Sequence, residues 1–299
     1  MFEGFKEFKT AVSPDISIHG IKSGSGPPLL LLHGFPQTHH IWHKITPSLV
    51  SDFTVINLDL RGYGQSSKPP SSTKENHAPY SKSAMAADCV AVMSSLGYSK
   101  FRICSHDRGA RVAHKLCVDY PEAVEKVMLL DIAPTLTMFE KTDMDFARAY
   151  FHWFFLTQPE PFPEELLMKE KDIFGQKFFG GGYAGKIEGK GFWDEAALKE
   201  YMKLFENKDC VHAMCEDYRA AATIDLEEAR KDREEGRKIK CPVRVLVGKK
   251  GVVATKFDYL QEWRDVSEGD VTGDAVDAGH YIAEELPDVL LKHIKEFFA

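Results

Sequence analysis

Apolar and polar residues alternate along two short runs near the start of the chain, Phe5 to Val12 and Ile16 to Ile21. A period of two lets each run bury one face, so the pair is expected to form antiparallel strands at a sheet edge. The pattern then changes. Leu29 to Leu32 is apolar at every position, as befits a strand covered on both faces. The loop signal His33-Gly34-Phe35-Pro36 ends it. The spacing predicts a helix from about Thr38 to Val50 and a strand from Phe53 to Leu58, which runs into the glycine-rich turn Asp59 to Ser66. A helix is expected from Ser81 to Leu96, stopped by Gly97. A short apolar strand beginning at Phe101 follows, then a turn between small residues, then a helix from Arg108 to about Tyr120, ended by Pro121. Val127 to Leu130 is a further buried strand, ending at Asp131.

The alternation of strands and helices breaks after Pro134. Residues 135–236 read as helical and aromatic-rich, with loops at Pro159 to Pro163 and Gly180-Gly181-Gly182. Asp225 to Lys240 is dense in both charge signs and is expected to be a solvated helix face or linker. Strand character returns from Cys241 to Gly248. A helix around Tyr259 to Val266, a weak strand near Asp274 to Val276 and a final helix from Ala283 to Phe298 complete the chain. The expected architecture is α/β, a mostly parallel sheet flanked by helices. Its core is formed by 1–134 and 237–299, and a helical cap, 135–236, is inserted after the sixth strand. Ligands should bind at the carboxyl ends of the strands, under that cap.

Composition narrows the function. A net charge of −7 argues against nucleic acid or an anionic membrane as partner. No apolar run approaches the ~20 residues that span a bilayer. Met1 to Glu7 is mixed and charged, unlike a secretory signal. The cysteines at 89, 104, 117, 210, 215 and 241 show no metal-binding spacing. A reduced, cytoplasmic protein is expected, with Cys104 and Cys241 as small core residues and no metal or organic cofactor.

Candidate chemistry centres on Ser105-x-Asp107-x-Gly109, which has the small-x-nucleophile-x-small shape of a nucleophile elbow. The nucleophile position holds a carboxylate. A carboxylate displaces a leaving group from carbon and becomes an ester, whereas a serine would form an acyl-enzyme. Taken alone, the motif fits a helix-capping aspartate equally well.

Four features in this order resemble the α/β-hydrolase fold over the whole chain. They are His33-Gly34-Phe35-Pro36, Asp59-x-Arg61-Gly62-x-Gly64-x-Ser66, the elbow at Asp107 and a late Gly279-His280. Within that fold, Ser105 to Arg111 is similar to the haloacetate (fluoroacetate) dehalogenase family, and His152-Trp153 and Glu216-Asp217-Tyr218-Arg219 strengthen the match. Haloalkane dehalogenases differ in carrying Trp directly after the nucleophile, where this chain has Arg108. The resemblance implies hydrolysis of haloacetate (fluoroacetate, chloroacetate) to glycolate and halide through an aspartyl ester, a small-molecule substrate, no cofactor and a homodimer. The rival is an epoxide hydrolase with the same triad and cap tyrosines as acids.

In this frame Asp107 is the nucleophile and His280 the base. The loop after Val243 to Val247, Gly248 to Val253, offers no carboxylate, so the supporting acid is expected at Asp131, with Asp258 a fallback. The backbone N–H groups of Phe35 and Arg108 should form an oxyanion hole. Arg108 and Arg111 stand three apart on one helix face, at the end where the dipole favours anions. Two guanidinium groups there suit a substrate with its own carboxylate. Pairing with a structural acid is more readily expected of Arg111 than of Arg108. The resemblance assigns halide contacts to His152, Trp153 and Tyr218, with Tyr150 and Tyr183 as other cap tyrosines that could serve.

Overall fold

The structure is a computed structural model and describes residues 1–179 and 191–299. The edge pair forms as β1 (Lys6–Ala11) and β2 (Ser17–Ser23), antiparallel, with Lys6 opposite Lys22 and Ala11 opposite Ser17. The remaining strands are β3 (Pro28–Leu32), β4 (Thr54–Leu58), β5 (Phe101–His106), β6 (Val124–Leu130), β7 (Val243–Gly248) and β8 (Val271–Val276). Their order is β1-β2-β4-β3-β5-β6-β7-β8, and from β4 to β8 every pairing is parallel.

Burial explains the sequence patterns. Leu29 to Leu32 are fully buried because both faces of β3 are covered. Leu30 and Leu32 join one core cluster, and Leu29 and Leu31 join the other with Trp42, Leu290 and Phe298. Each buried leucine contributes ~1.5–3 kcal/mol relative to exposure. β8 lies at the sheet edge and alternates half-buried with exposed positions, with only Val276 buried, which accounts for its weak apolar signal.

The strand order turns around β3, with β4 on one side and β5 on the other. The loops leaving β3 and β5 therefore sit side by side at the carboxyl edge of the sheet, the place where ligands of such sheets bind. Between β6 and β7 the chain runs through helices from Thr135–Glu140 to Ile224–Glu234, with no strand among the described residues.

Several expectations need correction. No continuous helix spans 38–50; two short 3-10 turns, His39–Trp42 and Thr46–Ser48, take its place. Pro47 has no N–H and would clash with the preceding turn, so an α-helix cannot continue through it. The last helix is split into Ile282–Glu285 and Pro287–Phe298. Leu286 precedes a proline and sits at φ −134°, ψ 59°, outside the helical region that such a residue avoids. The charged stretch forms the helix Ile224–Glu234, but Asp225 and Asp232 are buried, not solvated. Asp225 accepts from the Lys82 backbone N–H at 2.8 Å, and Lys115 reaches Asp232 at 3.0 Å. Within the expected loop Pro159 to Pro163, Phe162 already begins the helix Phe162–Lys169. Gly180-Gly181-Gly182 and Tyr183 lie outside the described residues. Among the described residues no helix is long and apolar enough to cross a membrane.

Candidate active site

The loop after β3 and the turn after β5 meet because their strands are hydrogen-bonded neighbours, Leu32 beside Ser105. Asp107 opens the helix Asp107–Asp119 with φ 46°, a left-handed conformation that costs energy outside glycine. The turn closes only because its neighbours are small. A Cβ on Gly109 would stand 2.3 Å from the His33 carbonyl oxygen, and one on Gly34 would stand 2.5 Å from the Asp107 Cβ. The Phe35 N–H donates to Asp107 Oδ1 at 2.9 Å, which leaves Oδ2 as the oxygen facing His280.

His280 follows β8 and is buried beside both aspartates. Its Nδ1 donates to Asp131 Oδ2 at 2.6 Å, and its Nε2 lies 3.9 Å from Asp107 Oδ2. The second distance is longer than a hydrogen bond, so Nε2 faces the carboxylate without tying it down. Asp131, at the end of β6, also has positive φ, 52°. Its Oδ1 accepts from the Gly248 N–H at 2.9 Å, so the loop after β7 that lacks a carboxylate closes on Asp131 instead. Asp258 is elsewhere: exposed, it caps its own helix by accepting from the Gln261 N–H at 3.1 Å. That removes it as a fallback.

Electrostatics sort these groups. Burial pushes the Asp107 carboxyl up, but the charges of His280, Arg111 and Arg108 bring it below the ordinary range. Burial works against an imidazolium at His280. The short bond to Asp131 and the charges of Asp131 and Asp107 outweigh it and raise the group. His106 is pushed down to about 3 by burial and by His280. It stays neutral, and its Nε2 donates to the His280 carbonyl at 2.9 Å.

The two arginines behave oppositely to expectation. Arg108 is fully buried and bound to Asp217: Nε donates to Oδ2 at 3.0 Å and Nη2 to Oδ1 at 2.6 Å. Arg111 is also buried and has no carboxylate partner among the described residues. Its Nη1 donates to Thr135 Oγ1 at 2.9 Å and to the Ala133 carbonyl at 3.3 Å. The reason is reach. Asp217, on the helix Lys208–Ala222, comes down from the inserted segment directly onto Arg108, which sequence spacing cannot show.

His152, Trp153 and Tyr218 are buried on inserted helices; His152 and Tyr218 pack on Phe35, and Trp153 lies 6.5 Å from Tyr218 between ring centroids. Phe35 stacks with His152 at 6.0 Å and meets Tyr218 edge-on at 5.2 Å between ring centroids. The Trp153 indole N–H and the Tyr218 hydroxyl have no hydrogen-bond partner among the described residues. Buried donors are normally satisfied, so two orphans in one wall mark a place for an acceptor. Tyr218 keeps its proton, since burial and the Asp107 charge hold its phenol well above the ordinary value. His152 is pushed down to about 3 by burial and is neutral. Each guanidinium lies over one of these rings, Arg108 over Tyr218 at 4.2 Å and Arg111 over Trp153 at 4.7 Å. Tyr150 is buried nearby, 5.5 Å from His152 between ring centroids.

Sequence reasoning gave no role to Asp217, Lys82, His106 or Glu285. Glu285 accepts from the Gly279 and Tyr281 N–H groups at 2.7 and 2.9 Å and so shapes the His280 loop. Only Asp217 and His106 carried a signal, by lying inside the motifs that mark the site.

Comparisons with known proteins identify the fold and the family. A family model of the alpha/beta hydrolase fold matches residues 27–167. A fluoroacetate dehalogenase from Burkholderia sp is 40% identical, with 100% of this chain and 95% of that protein covered. A solved structure from Nostoc sp PCC 7120, described as an alpha/beta hydrolase, superposes with a TM-score of 0.94 at 46% identity, covering 100% of this chain and 99% of that one. A soluble epoxide hydrolase from Corynebacterium sp. (strain C12) is 28% identical, with 94% of this chain and 93% of that protein covered. The chain belongs to the α/β-hydrolase superfamily and, within it, to the haloacetate dehalogenase family; it is a hydrolase.

Proposed function

We propose that the protein hydrolyses short 2-haloacids, chiefly haloacetates such as fluoroacetate and chloroacetate, to 2-hydroxyacids and halide. The observation that carries this reading is Arg111. Burial holds the Arg111 guanidinium below its ordinary value even with the Asp107 charge nearby, and no carboxylate among the described residues is in contact with it, so a ligand anion at this place would offset the cost of burying it. A neutral haloalkane or epoxide cannot; a haloacetate can.

In this mechanism Arg108 and Arg111 hold the substrate carboxylate. Asp107 Oδ2 attacks the 2-carbon in line, the carbon–halogen bond breaks, and the halide leaves toward His152, Trp153 and Tyr218. All three are neutral N–H or O–H donors. Three donors in a dry wall suit fluoride, which is small and strongly hydrated. Ester formation removes the negative charge of Asp107 and with it one of the influences raising His280. The imidazole then gives up its proton more readily and stands in the neutral form that a general base requires. Its Nε2 takes a proton from water, which attacks the ester carbonyl. The bond from that carbon to the substrate oxygen then breaks, the imidazolium returns its proton to the departing 2-hydroxyacid oxygen, and Asp107 loses the remaining proton to solvent and is a carboxylate again. Asp131 holds the ring through Nδ1 and stabilises the imidazolium. The Phe35 and Arg108 N–H groups receive the charge that develops on the ester oxygen. The helical insertion acts as a cap that excludes bulk water.

Halide release from fluoroacetate and chloroacetate, set against 1-haloalkanes, tests the reading; no release from either haloacid overturns it. One observation favours a second reading, epoxide hydrolysis: the Tyr218 hydroxyl is a buried donor with no described partner, which could protonate an opening epoxide. Styrene oxide turnover without halide release from haloacids would select it.

A further inference from the structure

Arginine binds a carboxylate best with two parallel N–H donors. Arg108 has already used its strongest pair. Asp217 occupies Nε and Nη2, and the Asp217 backbone carbonyl accepts a second bond from Nη2 at 2.7 Å. Asp217 is itself fixed: Lys82 donates to Oδ1, and the Tyr63 hydroxyl donates to Oδ2 at 2.8 Å. The Tyr218 ring covers one face of the guanidinium. The Asp217 bonds and the Tyr218 ring therefore hold the guanidinium in one orientation. One polar atom of Arg108, Nη1, is buried and without a hydrogen-bond partner among the described residues. On Arg111 the corresponding atom is Nε, likewise buried and unpartnered.

The charges divide in the same way. Lys82 lies 3.3 Å from Asp225 Oδ2 as well as against Asp217. Lys82 and Arg108 thus balance Asp217 and Asp225. Arg111 is left as the buried cation of the pocket without a carboxylate of its own among the described residues.

We propose that Asp217 is the positioning residue that makes Arg108 a single-donor ligand, so that a substrate carboxylate bridges Arg108 Nη1 and Arg111 Nε. This inference rests on the function proposed above. Arg111 supplies the net charge that selects an anion, and Arg108, neutralised by Asp217, supplies a fixed direction. The specificity that follows is for one carboxylate at one distance from the reacting carbon. Asp217 immediately precedes Tyr218, so the contact that aims Arg108 also places a halide donor.

The test compares the wild type with Asp217→Asn, Asp217→Glu and Lys82→Met. Chloride release from chloroacetate is measured at steady state, and affinity for acetate, an inert carboxylate, is measured by calorimetry. Asp217→Asn removes the charge and one acceptor, which frees Arg108 to turn. KM and the acetate dissociation constant should each rise at least about tenfold, with a smaller fall in kcat. Asp217→Glu should restore part of the loss, and Lys82→Met should shift both constants in the same direction by less. Melting curves establish folding. A residue with only a structural role would lower the melting temperature and kcat and leave KM and acetate affinity unchanged, and that outcome overturns the inference. If Asp217→Asn does not fold, unchanged constants in both Asp217→Glu and Lys82→Met overturn it equally. A wild type that releases no halide from haloacids overturns the proposed function itself, whereas an active wild type with an indifferent Asp217→Asn overturns this inference alone.

Discussion

Asp107 and Asp131 both hold left-handed backbone angles, φ 46° and 52°. Each such residue stores ~1–3 kcal/mol of strain, which the surrounding packing must hold. In return both carboxylates project from strand ends toward one imidazole. That arrangement gives a pH prediction with a definite sign. In the proposed mechanism ester formation needs ionised Asp107, whose carboxyl sits below the ordinary range, so this step persists into acid. Ester hydrolysis needs neutral His280, so it gains as pH rises through that group's pKa. At about pH 5, between the ordinary values of the two groups, the wild type should show a burst of halide followed by slow turnover. His280→Asn should stop after the burst at every pH, with the substrate fragment found on the Asp107 peptide by mass spectrometry. That Asp107, His280 and Asp131 would meet was legible in the sequence, the first two from motifs at strand ends and Asp131 from its place at a strand end once the loop after Val247 offered no carboxylate. The partner of Arg108 was not, since Asp217 lies 109 positions away and meets it only through tertiary packing.

At the scale of elements, the site is two loops leaving adjacent parallel strands. The apolar runs that became β3 to β7 were readable because a strand buried on both faces needs continuous apolar residues. The stretch from Thr38 to Val50 misled because its apolar spacing is helical while Pro47 forbids the helix. The edge strand β8 was faint because solvent leaves its exposed positions unconstrained. Contact between the loops sets a narrow tolerance. Gly34→Ala would put a methyl group 2.5 Å from the Asp107 Cβ, and backbone must shift to admit it. Overpacking of this kind costs ~1–3 kcal/mol. A lower melting temperature is therefore expected, with a fall in kcat well beyond what the stability change explains.

Across the whole molecule, the insertion is tied to the sheet domain by buried polar contacts as well as by apolar packing. One such contact is Glu284, just after the His280 loop. Its Oε1 accepts from the Tyr201 hydroxyl at 2.6 Å, and Lys44 lies 3.4 Å from Oε2. Burial pushes its carboxyl up to about 7. For an acid raised on folding, the penalty is absent below the unfolded value and grows as pH climbs to the folded one. Glu284→Gln should therefore raise the melting temperature at pH 8, by up to ~3 kcal/mol in stability, and should leave it nearly unchanged at pH 4. Thermal melts of the two proteins across that range check the sign. This contact, like Arg108 with Asp217, was hidden in the sequence, where Glu284 is one charge of many near the C-terminus.

In the proposed mechanism the donors of Trp153 and Tyr218, which have no hydrogen-bond partner among the described residues, have a further consequence after turnover. A site that solvates a departing halide in the transition state does not cease to do so once the ion is free. Each desolvated donor left unmatched costs ~1–3 kcal/mol, so the resting protein gains by taking the ion back. Halide should therefore act as a feedback inhibitor competing at this wall, and added salt of the right anion should protect the fold in proportion to the logarithm of its concentration. In thermal melts at constant ionic strength, halides should outrank a bulky anion such as perchlorate, and Trp153→Phe should flatten the ranking. The protein would then read out, through its own stability, how much product its surroundings have accumulated.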